Sequence, residues 1–233
     1  MATFIGGNGA KIDASTTTVG VSGVTVAAGD LVVGVTKWEV GTSTISVSNG
    51  TTGATLDTLG VLAHANGDLF GCMWYYLACQ ETGNLTFTST LGTARAFKQT
   101  AYGVFRYTGT ASRNAGNQNA GTGTAVASGL FSPSGSELVT IGYWGNYVTE
   151  TPTNHLINGV ADDAVFGNTD GTQGWYRLLS SGFTNGQATV DQSGSLAFLG
   201  FGVAFAIAAA GGRTTKNTRS APLGVEIGMN WRG

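Results

Sequence analysis

No window of this chain sustains an apolar stripe of helical period, and that constrains its fold more than any other feature. Gly, Thr, Val and Ser interrupt every stretch in which an i, i+3, i+4 pattern could develop. Short runs rich in β-branched and aromatic residues recur instead. Strands are predicted at 19–26, 31–38, 43–48, 68–79, 84–89, 101–108, 122–128, 137–144, 175–180, 187–192 and 196–209. Turn dipeptides separate them, among them Asn49-Gly50, Asn66-Gly67, Asp170-Gly171 and Asn185-Gly186. This spacing predicts an all-β fold, an antiparallel sandwich or barrel. All-β domains of 233 residues commonly remain undivided, so a single domain is expected.

Two of these strands begin alike. "AAGDLVVGVTKW" (27–38) and "PSGSELVTIGYW" (133–144) both place an acidic residue and Leu-Val ahead of an apolar run ending in Trp. The segments that follow, 39–60 and 145–167, share no usable register, so the repeat reads as local and the chain as one sandwich rather than two copies. Leu31, Val33 and Val35 alternate with Val32, Gly34 and Thr36, which requires at least one well-buried strand face. In "LAFLGFGVAFAIAA", Ala197, Leu199, Phe201, Val203, Phe205 and Ile207 form a core face. The opposite face, with Gly200, Gly202, Ala204 and Ala206, admits close approach of a facing sheet or a neighbouring subunit. Cys72 and Cys79 are expected as two buried, reduced thiols.

Only 10% of residues are charged, against roughly 25% in ordinary soluble domains, while Ser, Thr and Asn are abundant. The surface must be solvated mainly by hydroxyls and amides. With 11 basic and 13 acidic residues, a formal charge of −2 supplies no field for nucleic acid or an anionic membrane, and neither is expected as a partner. The start, "MATFIGGNGAKIDAS", lacks the basic and apolar regions of a secretory signal. The most apolar segment, 195–212, is short for a membrane span and reads as core strand.

Chemistry is harder to place. His64 and His155 are the only histidines, and no Gly-x-Ser-x-Gly elbow points to a serine beside either. Glu39, Glu81, Glu137 and Glu150 are the carboxylates available for a glycosidase pair. Asp162, Asp163, Asn168 and Asp170 fall in one loop region that could hold calcium, although Asx-rich turns explain them equally. Trp38, Trp74, Tyr75, Tyr76, Tyr143, Trp144, Tyr147, Trp175 and Tyr176 offer either core or a sugar-stacking face, with at least half expected in the core. No catalytic residue, metal ligand or cofactor is expected from these patterns.

The order "AGDLVVGVT", "ISVSNGTTGATL", "YYLACQETGNLTFTST", "YGVFRYTGT", the Gly-Thr-Gly-Thr stretch at 121–124, "SGSELVTIGYW" and "SLAFLGFGVAFA" resembles the jelly-roll β-sandwich modules of tailed-phage structural proteins and some bacterial surface proteins. The resemblance spans residues 20–209, and no catalytic residues carry over. It implies a non-enzymatic virion protein, a head decoration or cement subunit made in the host cytoplasm, whose partners are its own copies as a homo-oligomer and the major capsid protein. The alternative is a carbohydrate- or receptor-binding module of a fibre or surface protein, with a glycan as ligand. The expected organisation is an N-terminal segment (1–18), a jelly-roll sandwich (19–209) and an extended C-terminal arm (210–233). That arm carries Arg213, Lys216 and Arg219, then Val225, Ile227, Met229 and Trp231 at alternate positions. It could add to a neighbour's sheet as an interface strand or fold back over its own sandwich.

Overall fold

The computed structural model describes residues 1–146, 150–167 and 171–209. The described residues contain no helix, and every named strand pair is antiparallel. The expected all-β antiparallel sandwich is therefore what forms.

The first half contains β1 (Thr3–Ile12), β2 (Thr16–Val21), β3 (Thr25–Val26), β4 (Leu31–Glu39), β5 (Ile45–Ser48), β6 (Thr55–Ala63), β7 (Leu69–Tyr76), β8 (Gly83–Asn84), β9 (Phe87–Arg95) and β10 (Lys98–Arg106). The second contains β11 (Thr110–Ala127), β12 (Leu138–Gly145), β13 (Thr153–Ile157), β14 (Val160–Ala161), β15 (Ala164–Phe166), β16 (Thr172–Leu179) and β17 (Ala188–Ala208). In the first half the broad sheet runs β1-β10-β4-β7-β6, with a smaller sheet β2-β9-β5. In the second, β11 pairs with β17 and the path continues β17-β12-β16-β15. The start of β17 also pairs with the end of β11 and with β13, which pairs with β14.

These are the same unit twice, which corrects the expectation of a merely local repeat. β1 and β2 correspond to the two parts of the long strand β11, whose register slips between Gly123 and Ala125; β9 and β10 correspond to the two parts of β17. Even the short pairing of Thr25 with Asn84 has its counterpart in the isolated bridge between Phe131 and Gly186. The similarity that stands out in the sequence is one residue out of structural register. Leu31 lies opposite Phe105 and Val139 lies opposite Phe205, so Leu31 corresponds to Val139 and not to Leu138.

Gly34 corresponds to Gly142, and each lies opposite a tryptophan, Trp74 or Trp175. At both glycines a Cβ would overlap that indole, so only glycine lets the ring cross the central strand. Within 39–60 and 145–167 the turns Asn49-Gly50 and Asn158-Gly159 occupy equivalent places, while almost nothing else matches. The N-terminal segment also proves integral: β1 pairs with β10 from Thr3 to Ile12, so the sandwich begins well before residue 19.

The two broad sheets pack face to face. Leu31, Val33, Val35, Met73 and Phe105 of one meet Ile141, Tyr143, Leu199, Phe201 and Phe205 of the other in the central core. On the outer face of the first sheet, Trp38, Trp74 and Tyr102 pack beneath Val21, Val47, Phe87 and Leu91 of the small sheet. The outer face of the second buries Trp144 and Trp175 against Val126, Ile157, Ala188 and Val190. The parity read in β17 is realised: its large residues fill the central core, while a Cβ on Gly200 or Gly202 would strike the 126–131 segment of the same unit. The close approach at those glycines is thus an intramolecular sheet contact.

Candidate functional site

Strand geometry disperses most of the candidate chemistry. His64, at the end of the β6 hairpin, is buried; its Nδ1 lies 2.9 Å from Asp68 Oδ1 and its Nε2 3.2 Å from Thr122 Oγ1. It ties the first unit to β11. His155 on β13 bonds Gln173 Oε1 at 2.8 Å and packs its ring against Trp175. Neither imidazole has a serine hydroxyl among its hydrogen-bond partners in the described residues.

The four glutamates are held separately. Glu81 accepts from Asn49 Nδ2 at 2.6 Å and from Thr52 Oγ1 at 3.3 Å. Glu137 pairs with the amino terminus of Met1 at 3.1 Å, and Glu150 accepts from Asn146 Nδ2 and the Ser193 amide. Burial raises the Glu39 pKa, and the Lys37 charge opposes that shift. Asp163 Oδ2 accepts the Leu178 amide at 2.7 Å, a strand-end role, while Asn168 and Asp170 lie outside the described residues. Among the described residues, no group of three or more His, Cys, Asp and Glu side chains converges as a metal site would need.

The aromatics resolve the other way from a sugar platform. Trp38, Trp74, Tyr75, Tyr76, Tyr143, Trp144, Trp175 and Tyr176 are all buried, and Tyr147 lies outside the described residues. Alternate residues on the broad sheets face either the central core or a unit's own outer core, so adjacent aromatics point opposite ways without reaching solvent. Cys72 and Cys79 are free and buried, as expected. Desolvation pushes the Cys72 thiol up to about 12, with the Asp57 charge adding to it.

One outward surface among the described residues is a hydroxyl face on the small sheet. Its inward residues Val19, Val21, Val47, Phe87 and Leu91 are buried, so strand alternation turns Thr16, Thr18, Ser46 and Thr90 to solvent. Register aligns Thr18, Thr90 and Ser46 in one row and Gly20, Thr88 and Ser48 in the next. The threonines of this face are β-branched and have few rotamers on a paired sheet, so the face is uncharged, solvent-exposed and, at its threonines, stiff.

Four buried charges escaped the sequence reading: Asp30, Lys37, Asp57 and Lys98, the last donating to the Ala14 and Arg95 carbonyls at 2.9 and 2.6 Å. Asp30 takes a bidentate contact from Arg106, with both N···O distances 2.9 Å. Asp57 takes another from Arg113, at 3.1 and 3.0 Å, across the boundary between units. Lys37 is wholly buried; among the described residues its Nζ has no hydrogen-bond partner and lies 5.1 Å from the Phe97 ring centroid. Its signal was available: Lys37 shares the core-facing parity of Leu31, Val33 and Val35.

Arg213, Lys216, Arg219, Val225, Ile227, Met229 and Trp231, the interface residues expected in the C-terminal arm, lie outside the described residues. No family model, curated protein or solved structure matches this chain.

Proposed function

We propose that this chain is a non-enzymatic structural protein, a capsid decoration or cement subunit that acts through protein surfaces, and that each of its units is a jelly roll. The order within each unit supports the second part. Leaving aside the two-residue strands β3, β8 and β14 and taking β11 and β17 as two parts each, every unit has eight strands; the first, eighth, third and sixth are neighbours in the broad sheet, and the second, seventh and fourth are neighbours on the smaller layer. The order of these seven strands agrees with a jelly roll, an architecture shared by capsid and lectin domains, while the fifth strand, β6 or β15, departs from it by joining the broad sheet beside the sixth.

The observation that carries the functional reading is the hydroxyl face on β2, β9 and β5, set on a molecule whose described tryptophans are all buried in cores. Such a face can meet a neutral protein surface through direct and water-bridged hydrogen bonds. In this reading the basic arm, residues 210–233, reaches neighbouring copies or the major capsid protein through Arg213, Lys216 and Arg219. A glycan-binding fibre module is the alternative, and the burial of the candidate stacking residues weighs against it.

The test is stoichiometry and place. Quantitative mass spectrometry and labelled-antibody microscopy of purified particles should find this chain in many copies on the head. A few copies confined to a tail or fibre would favour the receptor-binding reading, and absence from particles would reject both. A chain ending at Gly211 should still fold but lose binding to heads.

A further inference from the structure

We propose that the two units dock through a surface of two-fold character whose edges select the opposite unit and refuse a second copy of the same one. Residues at the sheet margins are equivalent between the two units. Phe4 of β1 and Arg113 of β11 hold the same position, each paired with the corresponding phenylalanine, Phe105 or Phe205, and each followed by a register shift. Asp57 of β6 and Phe166 of β15 also correspond, because each follows the residue that pairs with Trp74 or Trp175.

These equivalent residues meet crosswise. At one margin Phe4 packs on Phe166, with ring centroids 5.6 Å apart. At the other, Arg113 grips Asp57 through two hydrogen bonds of 3.1 and 3.0 Å. A contact in which the first site of one unit touches the second site of the other, and the reverse recurs at the far edge, is the pattern of an isologous dimer. Here it lies within one chain, and the chemistry of the two edges has diverged.

That divergence dictates the partner. Two first units docked in this way would set Phe4 against Asp57 at both margins, burying carboxylates without a counter-ion; the Asp57 side chain has 0% exposure in the native contact. Two second units would set Arg113 against Phe166 at both margins. A buried charge deprived of its partner is strongly destabilising, so mismatched pairs are disfavoured by more than lost attraction. Only opposite units supply one apolar pair and one ion pair. A further one-sided bond agrees with this: the Tyr143 hydroxyl donates to the Val33 carbonyl across the central core at 2.6 Å, and the residue equivalent to Tyr143 is Val35, which has no hydroxyl.

The test uses the full chain, with a protease recognition sequence inserted at the exposed Thr108-Gly109 connection between β10 and β11. After cleavage of the folded protein, native mass spectrometry should show the halves still paired. Unfolding and refolding the cleaved protein should return opposite-half pairs in at least tenfold excess over same-half pairs. Separation on cleavage, same-half pairs in statistical proportion, or failure to recover opposite pairs would overturn the proposal. Phe4→Arg in the same cleaved chain faces Asp57 with a guanidinium at both margins of a first-half pair, so that pair should rise at least tenfold. No rise would show that these edges do not choose the partner.

Discussion

Lys37 shows how much a single residue can set against the packing around it. Its ammonium is wholly buried, and the nearby Phe97 ring offers a cation–π contact worth up to about 2 kcal/mol. Desolvation of an ion costs several kcal/mol, so burial wins. It holds the amine well below the usual lysine range; Glu39 opposes the shift and Lys11 adds to it. Replacing Lys37 with Met keeps the volume and removes the charge, and should raise stability near neutral pH by about 1 kcal/mol or more. Between the lowered native value and the ordinary one near about 10.4, the unfolded chain binds a proton that the native protein lacks. Native stability should therefore climb with pH across that window, and Lys37→Met should lose this part of the climb. Urea titrations of both proteins across the alkaline range measure it; a Met variant less stable than the native protein would contradict the assignment.

At the scale of elements, the central strands were legible and the marginal ones were not. β4, β7, β12 and the second part of β17 are apolar on both faces because each lies between two cores, and they are plain in the sequence. β1 was missed because "FIGGNGAKI" is rich in Gly and Asn and carries a register shift near Ile5; its strand form is imposed by its neighbour β10. β6 has its pairing interrupted between Leu56 and Val61, and most of β11 reads as polar sequence, "NAGNQNAGTGT", although it follows β17 almost throughout. The glycine–tryptophan crossings were visible as residues but not as a repeated device. Because Gly34 and Gly142 each admit an indole across a central strand, Gly34→Ala and Gly142→Ala should each cost about 1–3 kcal/mol through overpacking. Comparable shifts in denaturation midpoint are expected for the pair; a neutral effect at either site would show that its indole is free to move aside.

Across the whole molecule, the repeat is hidden because burial on both faces of a strand requires hydrophobicity and turn positions rather than particular residues. The resemblance that attracts the eye, Asp30-Leu31 with Glu137-Leu138, is out of structural register, whereas true equivalents such as Phe4 and Arg113 differ in kind. Among the described residues the candidate carboxylates and histidines are dispersed with separate partners, and the charged contact between units joins Asp57 to Arg113 across a long separation. Two like units share one core, built from Leu31, Val33 and Phe105 on one side and Ile141, Phe201 and Phe205 on the other. Neither unit can unfold without exposing that shared surface, so the two halves should melt together. Scanning calorimetry of the intact chain should show one transition whose calorimetric and van't Hoff enthalpies agree. Two resolved transitions, each with the enthalpy of about half the chain at roughly 0.7 kcal/mol per residue, would contradict the shared core.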